Sequence, residues 1–320
     1  MQGGIDNLRD WVLSQPYGEA QNVYAVLDSA RDPNIFAKLD QRDVEFVSLY
    51  RGEPEETLAE VAPYLVSLGT NLKVLNWILG EGWGQGWGIF VISPVSMDVL
   101  RRHFRHFLLV LDPLGKELYF RFYDPRVLRV YLPTCTGPET SQFFGQVTSF
   151  FMESEDSGAV LEFTKNGLKT TSLLKLSPSS SVDTPIKWDD VVSKSNRRRV
   201  RIREEQMNAF SQYMHGSFDK RAAVHLRKEY PAETETKTDT DLLELIQQGT
   251  EMASRYQFIR ESEIAVFLDL MILFDPRFDE TTEWAREILA NSRFSSDERL
   301  QWLREHRDSE IDRRKSKDNE

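Results

Sequence analysis

The feature that most constrains this chain is a change of pattern just past its middle. Residues 176–190, LSPSSSVDTPIKWDD, are dominated by Ser, Pro and Asp, which punctuate regular structure rather than extend it. Before this stretch, short runs rich in β-branched and aromatic residues alternate with helical patterns. NVYAVLD (22–28), VEFVSLY (44–50), WGIFVIS (87–93), FLLVLD (107–112) and ELYFRFY (117–123) read as strands. Segments 5–14, 70–80 and 96–106 read as helices. FLLVLDPLGKELYFRFY reads as a hairpin turned by Pro113 and Gly115. AVLEFTKNGLKTTSLL reads as a second hairpin, with Asn166-Gly167 as a type I′ turn signal. Short helices are expected after Asp124-Pro125 and after Gly137-Pro138.

Beyond the Ser/Pro stretch the pattern is helical. Leu242, Ile246, Gly249, Ala253 and Tyr256 recur at steps of 4, 3, 4 and 3, one face of a helix. Ile264, Phe267, Leu268 and Met271 mark the next helix, and Trp284, Ile288 and Leu289 another. The polar AETETKTDTD (232–241) reads as a loop, and the terminal RRKSKDNE as a frayed end. The expected fold is α+β. A mixed α/β domain with a largely antiparallel sheet spans 1–178, a linker spans 179–196, and an all-helical domain spans 197–320.

Charge and cysteine content narrow the function. The net charge is −11, which argues against general nucleic-acid affinity. Residues 194–230 depart from that balance, with ten Lys/Arg against four Asp/Glu. The single cysteine, Cys135, permits no intrachain disulfide and no multi-cysteine zinc site. The longest apolar run, IAVFLDLMILF at 264–274, has eleven residues, includes Asp269, and is too short to span a bilayer. The opening MQGGIDNLRDWVLSQ lacks the apolar core of a secretory signal. A cytoplasmic protein without membrane partners is expected.

Catalytic patterns are not evident. G-x-S-x-G, H-E-x-x-H, G-x-x-x-x-G-K-[ST] and C-x-x-C do not occur. GEGWGQGWG (80–88) places glycine at every second position between a helix and a strand, the reverse of the dinucleotide-binding order. It reads as a flexible loop whose Trp83 and Trp87 either pack inward or meet a partner. His103 and His106 are three apart, but Arg101, Arg102 and Arg105 beside them would repel a cation, so no metal and no cofactor are expected. KSNRRRVRIR (194–203) is either a solvated face or a docking surface for an acidic partner or phosphates, through Arg197, Arg198, Arg199, Arg201 and Arg203. It has no interleaved aromatic residue to stack a base.

The densest stretch is LYFRFYDPRVLRVYLPT (118–134). Strand alternation would turn Leu118, Phe120 and Phe122 to the core and Tyr119, Arg121 and Tyr123 the other way. Asp124 can cap a helix that Pro125 opens, with Arg126 in its first turn. These residue types make a structural corner whose outward groups Arg121, Tyr123 and Arg126 are candidates for partner binding. An enzyme holding an anionic substrate on Arg121, Asp124 and Arg126 is the alternative. A nucleic-acid-binding regulator using 194–203 is a weaker one.

Tyr24 to Asp28 with Ala30, APYLVSL (62–68), WGIFVIS, LYFRFYDPRVLRVYLPT and FFGQV (143–147) occur in an order that resembles the bacterial type VI secretion adaptor family, the Tap or TEC effector chaperones. The resemblance covers about residues 22–150. Arg121, Tyr123, Asp124, Pro125 and Arg126 match its most specific element, and Trp87, Gly88 and Ser93 a weaker one. It implies a non-enzymatic protein that binds a cognate effector toxin in the cytoplasm and helps load it onto the VgrG spike. It carries over no catalytic residue.

Overall fold

Strand β1 (Asn22–Asp28) lies inside an eight-stranded sheet, and its residues Val23 to Asp28 are all buried. The apolar run VYAVL is continuous rather than alternating because both sheet faces are covered. Tyr24 and Val26 enter one core, with Ile89, Val91, Phe150 and Met152. Val23, Ala25 and Leu27 enter the other, with Tyr64, Phe90 and Phe151. The computed structural model describes residues 6–10, 12, 21–52, 55, 57–69, 71–173, 181–184, 199–291 and 293–317.

The remaining strands are β2 (Phe46–Ser48), β3 (Pro63–Ser67), β4 (Gly88–Ser93), β7 (Ser149–Glu153), β8 (Ala159–Thr164), β9 (Gly167–Ser172) and β10 (Ser181–Thr184). Their order is β10-β9-β8-β7-β4-β1-β3-β2, with every neighbouring pair antiparallel. Strands β5 (Leu109–Leu111) and β6 (Glu117–Tyr119) form a separate hairpin. Gly88 permits the close pairing of β4 with β1: a Cβ there would stand 2.0 Å from the Val26 carbonyl oxygen.

The two hairpins form where the sequence placed them, with two differences. Gly115 takes φ +88° in the first turn, but the strand expected over 117–123 ends at Tyr119. Asp124 N–H donates to the Arg121 carbonyl at 3.0 Å, a turn that takes the chain out of the ladder. In the second hairpin Thr164 pairs with Gly167, so Lys165 and Asn166 are the central residues. Neither has positive φ, and Gly167 at +149° is already in the strand, so the turn is not type I′.

The chain divides into two units, Met1–Phe210 and Ser211–Glu320, and the division falls inside the helix Glu204–Glu229. The second unit is all-helical, as expected. Its helix Glu261–Leu273 is buried on nearly every side. Helix Asp239–Arg255 opens with a capping box between Thr238 and Asp241, and its Gly249 faces Leu268 and Met271. Two local expectations are corrected. The 232–241 segment includes part of a short helix, Pro231–Thr234, and the start of the next at Asp239. The tail is helical to Lys317 within Ser296–Lys317, because Arg313 and Arg314 each reach back to Glu310 across one helical turn. No helix among the described residues is long and apolar enough to cross a membrane.

Candidate functional site

The Asp-Pro corner forms as its residue types dictate. Pro125 occupies the first position of helix Pro125–Tyr131, and Asp124 is its N-cap in extended conformation. Asp124 Oδ1 accepts from the Arg126 amide at 2.9 Å. The Arg126 guanidinium folds onto the same carboxylate, its Nε 3.0 Å from Oδ1 and 3.2 Å from Oδ2. Asp124 is buried, while Arg126 lies at the surface with its charge balanced locally.

A second carboxylate completes the corner. Asp28, at the end of β1, is fully buried. Its Oδ1 accepts from the Ala30 amide at 3.2 Å and its Oδ2 from the Arg121 guanidinium. The Arg121 side chain is 41% exposed. Burial pushes the Asp28 carboxyl above its ordinary range, with Arg121 and the Ala30 amide acting against that push. Burial alone would lower the Arg121 guanidinium, but Asp28 reverses this and holds it above its ordinary value. The first strand of the sheet is thereby joined to the FRFYDPR segment ninety-three residues later in the chain.

Beside this corner, Glu153 at the end of β7 organises the glycine-rich loop. Its buried carboxylate accepts from the amides of Gly84 (2.5 Å) and Gly86 (3.1 Å). Both glycines have positive φ, +85° and +67°, a conformation other residues rarely take. Arg129 donates to the Glu153 carbonyl at 2.9 Å, and Trp83 Nε1 donates to the Ser157 carbonyl at 3.0 Å. Burial raises the Glu153 carboxyl, opposed by these amides and Arg129. The loop read as flexible is therefore held at several points.

Several candidate residues lie elsewhere than expected. Trp87 is buried, 5.5 Å from Trp77, and its ring sits where a Cβ on Gly82 would stand. Tyr123 is also buried, because the turn after Arg121 rotates it inward, and its hydroxyl lies 3.4 Å from that of Tyr119. Neither ring offers a surface to a partner. Trp83 is half-buried. Phe120 and Phe122 enter the core as expected.

The basic run is built into the first unit at its described end. Val200 and Ile202 are buried, and their backbones bond both sides of Leu111, at 2.9 Å and 2.8 Å, so this segment lies alongside β5. Arg199 pairs with Glu117, and Arg201 Nη1 donates to the carbonyls of Asp112 and Pro113. Arg203 meets Glu139 at 2.8 Å and the Thr134 carbonyl at 2.6 Å. Arg197 and Arg198 lie outside the described residues. The alternation of Arg199, Arg201 and Arg203 with Val200 and Ile202 is itself a strand signal that a reading by charge passes over.

His103 is turned inward, its Nε2 2.7 Å from the Phe143 carbonyl, and burial lowers its pKa. Among the described residues, no group of three or more His, Cys, Asp or Glu is placed to hold a metal ion.

A family model described as "Domain of unknown function (DUF4123)" matches residues 23–142, the span from β1 into the helix Gly137–Phe144. No curated protein and no solved structure matches the chain.

Proposed function

We propose that this chain is a non-enzymatic adaptor that binds a cognate type VI secretion effector in the cytoplasm and helps load it onto the VgrG spike. The observation that carries the reading is the Asp28–Arg121 pair. It ties together two separate segments by which the chain resembles the adaptor family, YAVLD and FRFYDPR, and both lie within the matched domain. The corner is a scaffold: each carboxylate is buried and held by a guanidinium and a backbone amide. The anionic-substrate alternative has less support, because both guanidiniums already meet carboxylates. The nucleic-acid alternative has less support too, because Arg199 and Arg203 are ion-paired and Arg201 binds carbonyls of its own chain.

Co-expression with each protein encoded beside this chain, any toxin and spike among them, followed by affinity capture at low salt, tests the proposal. One toxin is expected to co-purify. Capture of none of them, with the adaptor itself folded, would defeat it.

A further inference from the structure

The helical unit carries an aromatic strip on its surface that its own packing does not use up. The strip is rooted in the core: Phe267 lies 4.7 Å from Phe278, and Phe278 lies 6.4 Å from Trp284. Trp284 is stacked on His306 at 3.9 Å, with the rings 8° from parallel, and Phe274 stands edge-on to it at 5.5 Å. Trp302 lies one turn before His306 on the same face of helix Ser296–Lys317. Phe274 and Trp302 are 36% and 48% exposed. The strip therefore has a rigid half-buried centre and open rings at both ends. Rings already held in place lose little freedom when a partner covers them.

The charge around the strip points to what covers it. Residues 274–287 hold five carboxylates against two guanidiniums. Asp275, Glu280, Glu283 and Glu287 are exposed, and none forms an ion pair among the described residues. Elsewhere in the unit, Glu233, Glu261, Asp269 and Glu310 are matched to arginines, while Glu235, Glu244 and Glu251 are exposed with no ion pair among the described residues, spread along 235–251 rather than gathered beside rings. Arg277 and Arg286 are exposed in the same segment and Arg304 lies between Trp302 and His306 in the sequence, so the carboxylate excess belongs to the Phe274–Trp284 end of the strip. An aromatic surface with such an excess favours guanidinium groups, which stack on ring faces and are weakly hydrated.

We propose that the Phe274–Trp284–His306–Trp302 strip is the docking site for an arginine-bearing apolar segment of the client protein. The proposal rests on the adaptor reading for the origin of that segment, and on the rings and carboxylates for its chemistry.

The test uses the full chain and two synthetic probes, a peptide of alternating arginine and leucine and its glutamate–leucine counterpart. The arginine peptide is expected to bind and the glutamate peptide not to. Trp302→Ala, at an exposed helix position, should weaken binding by at least about tenfold. Glu283→Gln with Glu287→Gln should slow association and flatten its salt dependence. Ile259→Ser, at an exposed apolar site elsewhere in the unit, should change nothing. Equal binding of both peptides, full affinity in Trp302→Ala, or an equal loss in Ile259→Ser would overturn the proposal. So would self-association of the chain that Trp302→Ala abolishes, since the strip would then bind a second copy. A captured client lost from Trp302→Ala supports the assignment, and one fully retained overturns it. Selective arginine-peptide binding without any captured client would uphold the site's chemistry and count against the adaptor reading instead.

Discussion

Asp28 in the sheet unit and Asp269 in the helical unit are both buried carboxylates, held in different ways. Asp28 ends a strand where the chain turns, so the nearby Ala30 amide serves one oxygen and a single arginine the other. Asp269 lies mid-helix, where the backbone amides are already committed to the helix. Its oxygens depend on side chains from other helices: His225 Nε2 lies 2.9 Å from Oδ1, and Arg307 Nη1 3.1 Å from Oδ2. Burial pushes both carboxyls above their ordinary range, and hydrogen bonding and charge from Arg121 in one case, and from His225 and Arg307 in the other, act against it. A carboxylate at a strand end can draw one partner from the adjacent backbone, so Asp28 needs a single remote side chain, Arg121. One inside a helix instead ties together helices remote in sequence. In both units the anion is the buried member and the cation the more exposed one, so removing the cation should be the more damaging change.

That asymmetry gives the largest expected effect. Arg121→Ala strands the fully buried Asp28 with only the Ala30 amide, and should destabilise the sheet unit by about 3 kcal/mol. Asp28→Ala should cost less, because Arg121 is 41% exposed and can hydrate. Hydrogen exchange of the β1 amides reads this unit separately from the helical one. Equal losses in the two variants would remove the asymmetry.

Arg307→Ala should cost about 2 kcal/mol, less than Arg121→Ala, because Asp269 keeps His225. Exchange within helix Glu261–Leu273 reports it. A loss as large as that of Arg121→Ala would show that His225 contributes little. Asp124→Ala should cost about 1 kcal/mol through the missing cap, in thermal melts.

The smallest effect depends on pH. Hydrogen bonding from Arg313, with help from Arg314, holds the Glu310 carboxyl down at about 2. A depressed carboxyl contributes stability that is complete above its ordinary value of 4.5 and is lost as pH falls through about 2. Glu310→Gln should therefore be less stable than the parent at neutral pH and equal to it near pH 2. Asp28 has the opposite sign: its raised pKa contributes stability present at low pH and lost as pH rises through the folded value. The difference between the parent and Glu310→Gln, and that between the parent and Asp28→Asn, should therefore slope in opposite directions across acid pH, a site-by-site comparison that the raised Asp269 of the helical unit does not disturb. The same slope in both would contradict the contrast.

Local signals were legible because they act within a few residues. Periodicity placed β1 and the helices Asp239–Arg255 and Glu261–Leu273, and the Asp124-Pro125 pair placed both a cap and a helix start. Turn type was harder, because the pairing of Thr164 with Gly167 moved the glycine out of the turn and into the strand.

The sequence by itself determined that an α/β part precedes a helical part, and it placed both hairpins and the Asp-Pro corner, since spacing and turn chemistry carry that information; the expected linker at 179–196 instead holds strand β10, and the units divide at Phe210. Only the tertiary structure decided which cation meets which carboxylate. Arg121 finds Asp28, Arg203 finds Glu139, and Arg307 finds Asp269, each across a long stretch of chain. It likewise buried Trp87 and Tyr123 and laid residues 200–202 beside β5. The physical reason is that an exposed ring and a buried ring have the same local sequence signature. What separates them is the surface that another segment brings against them.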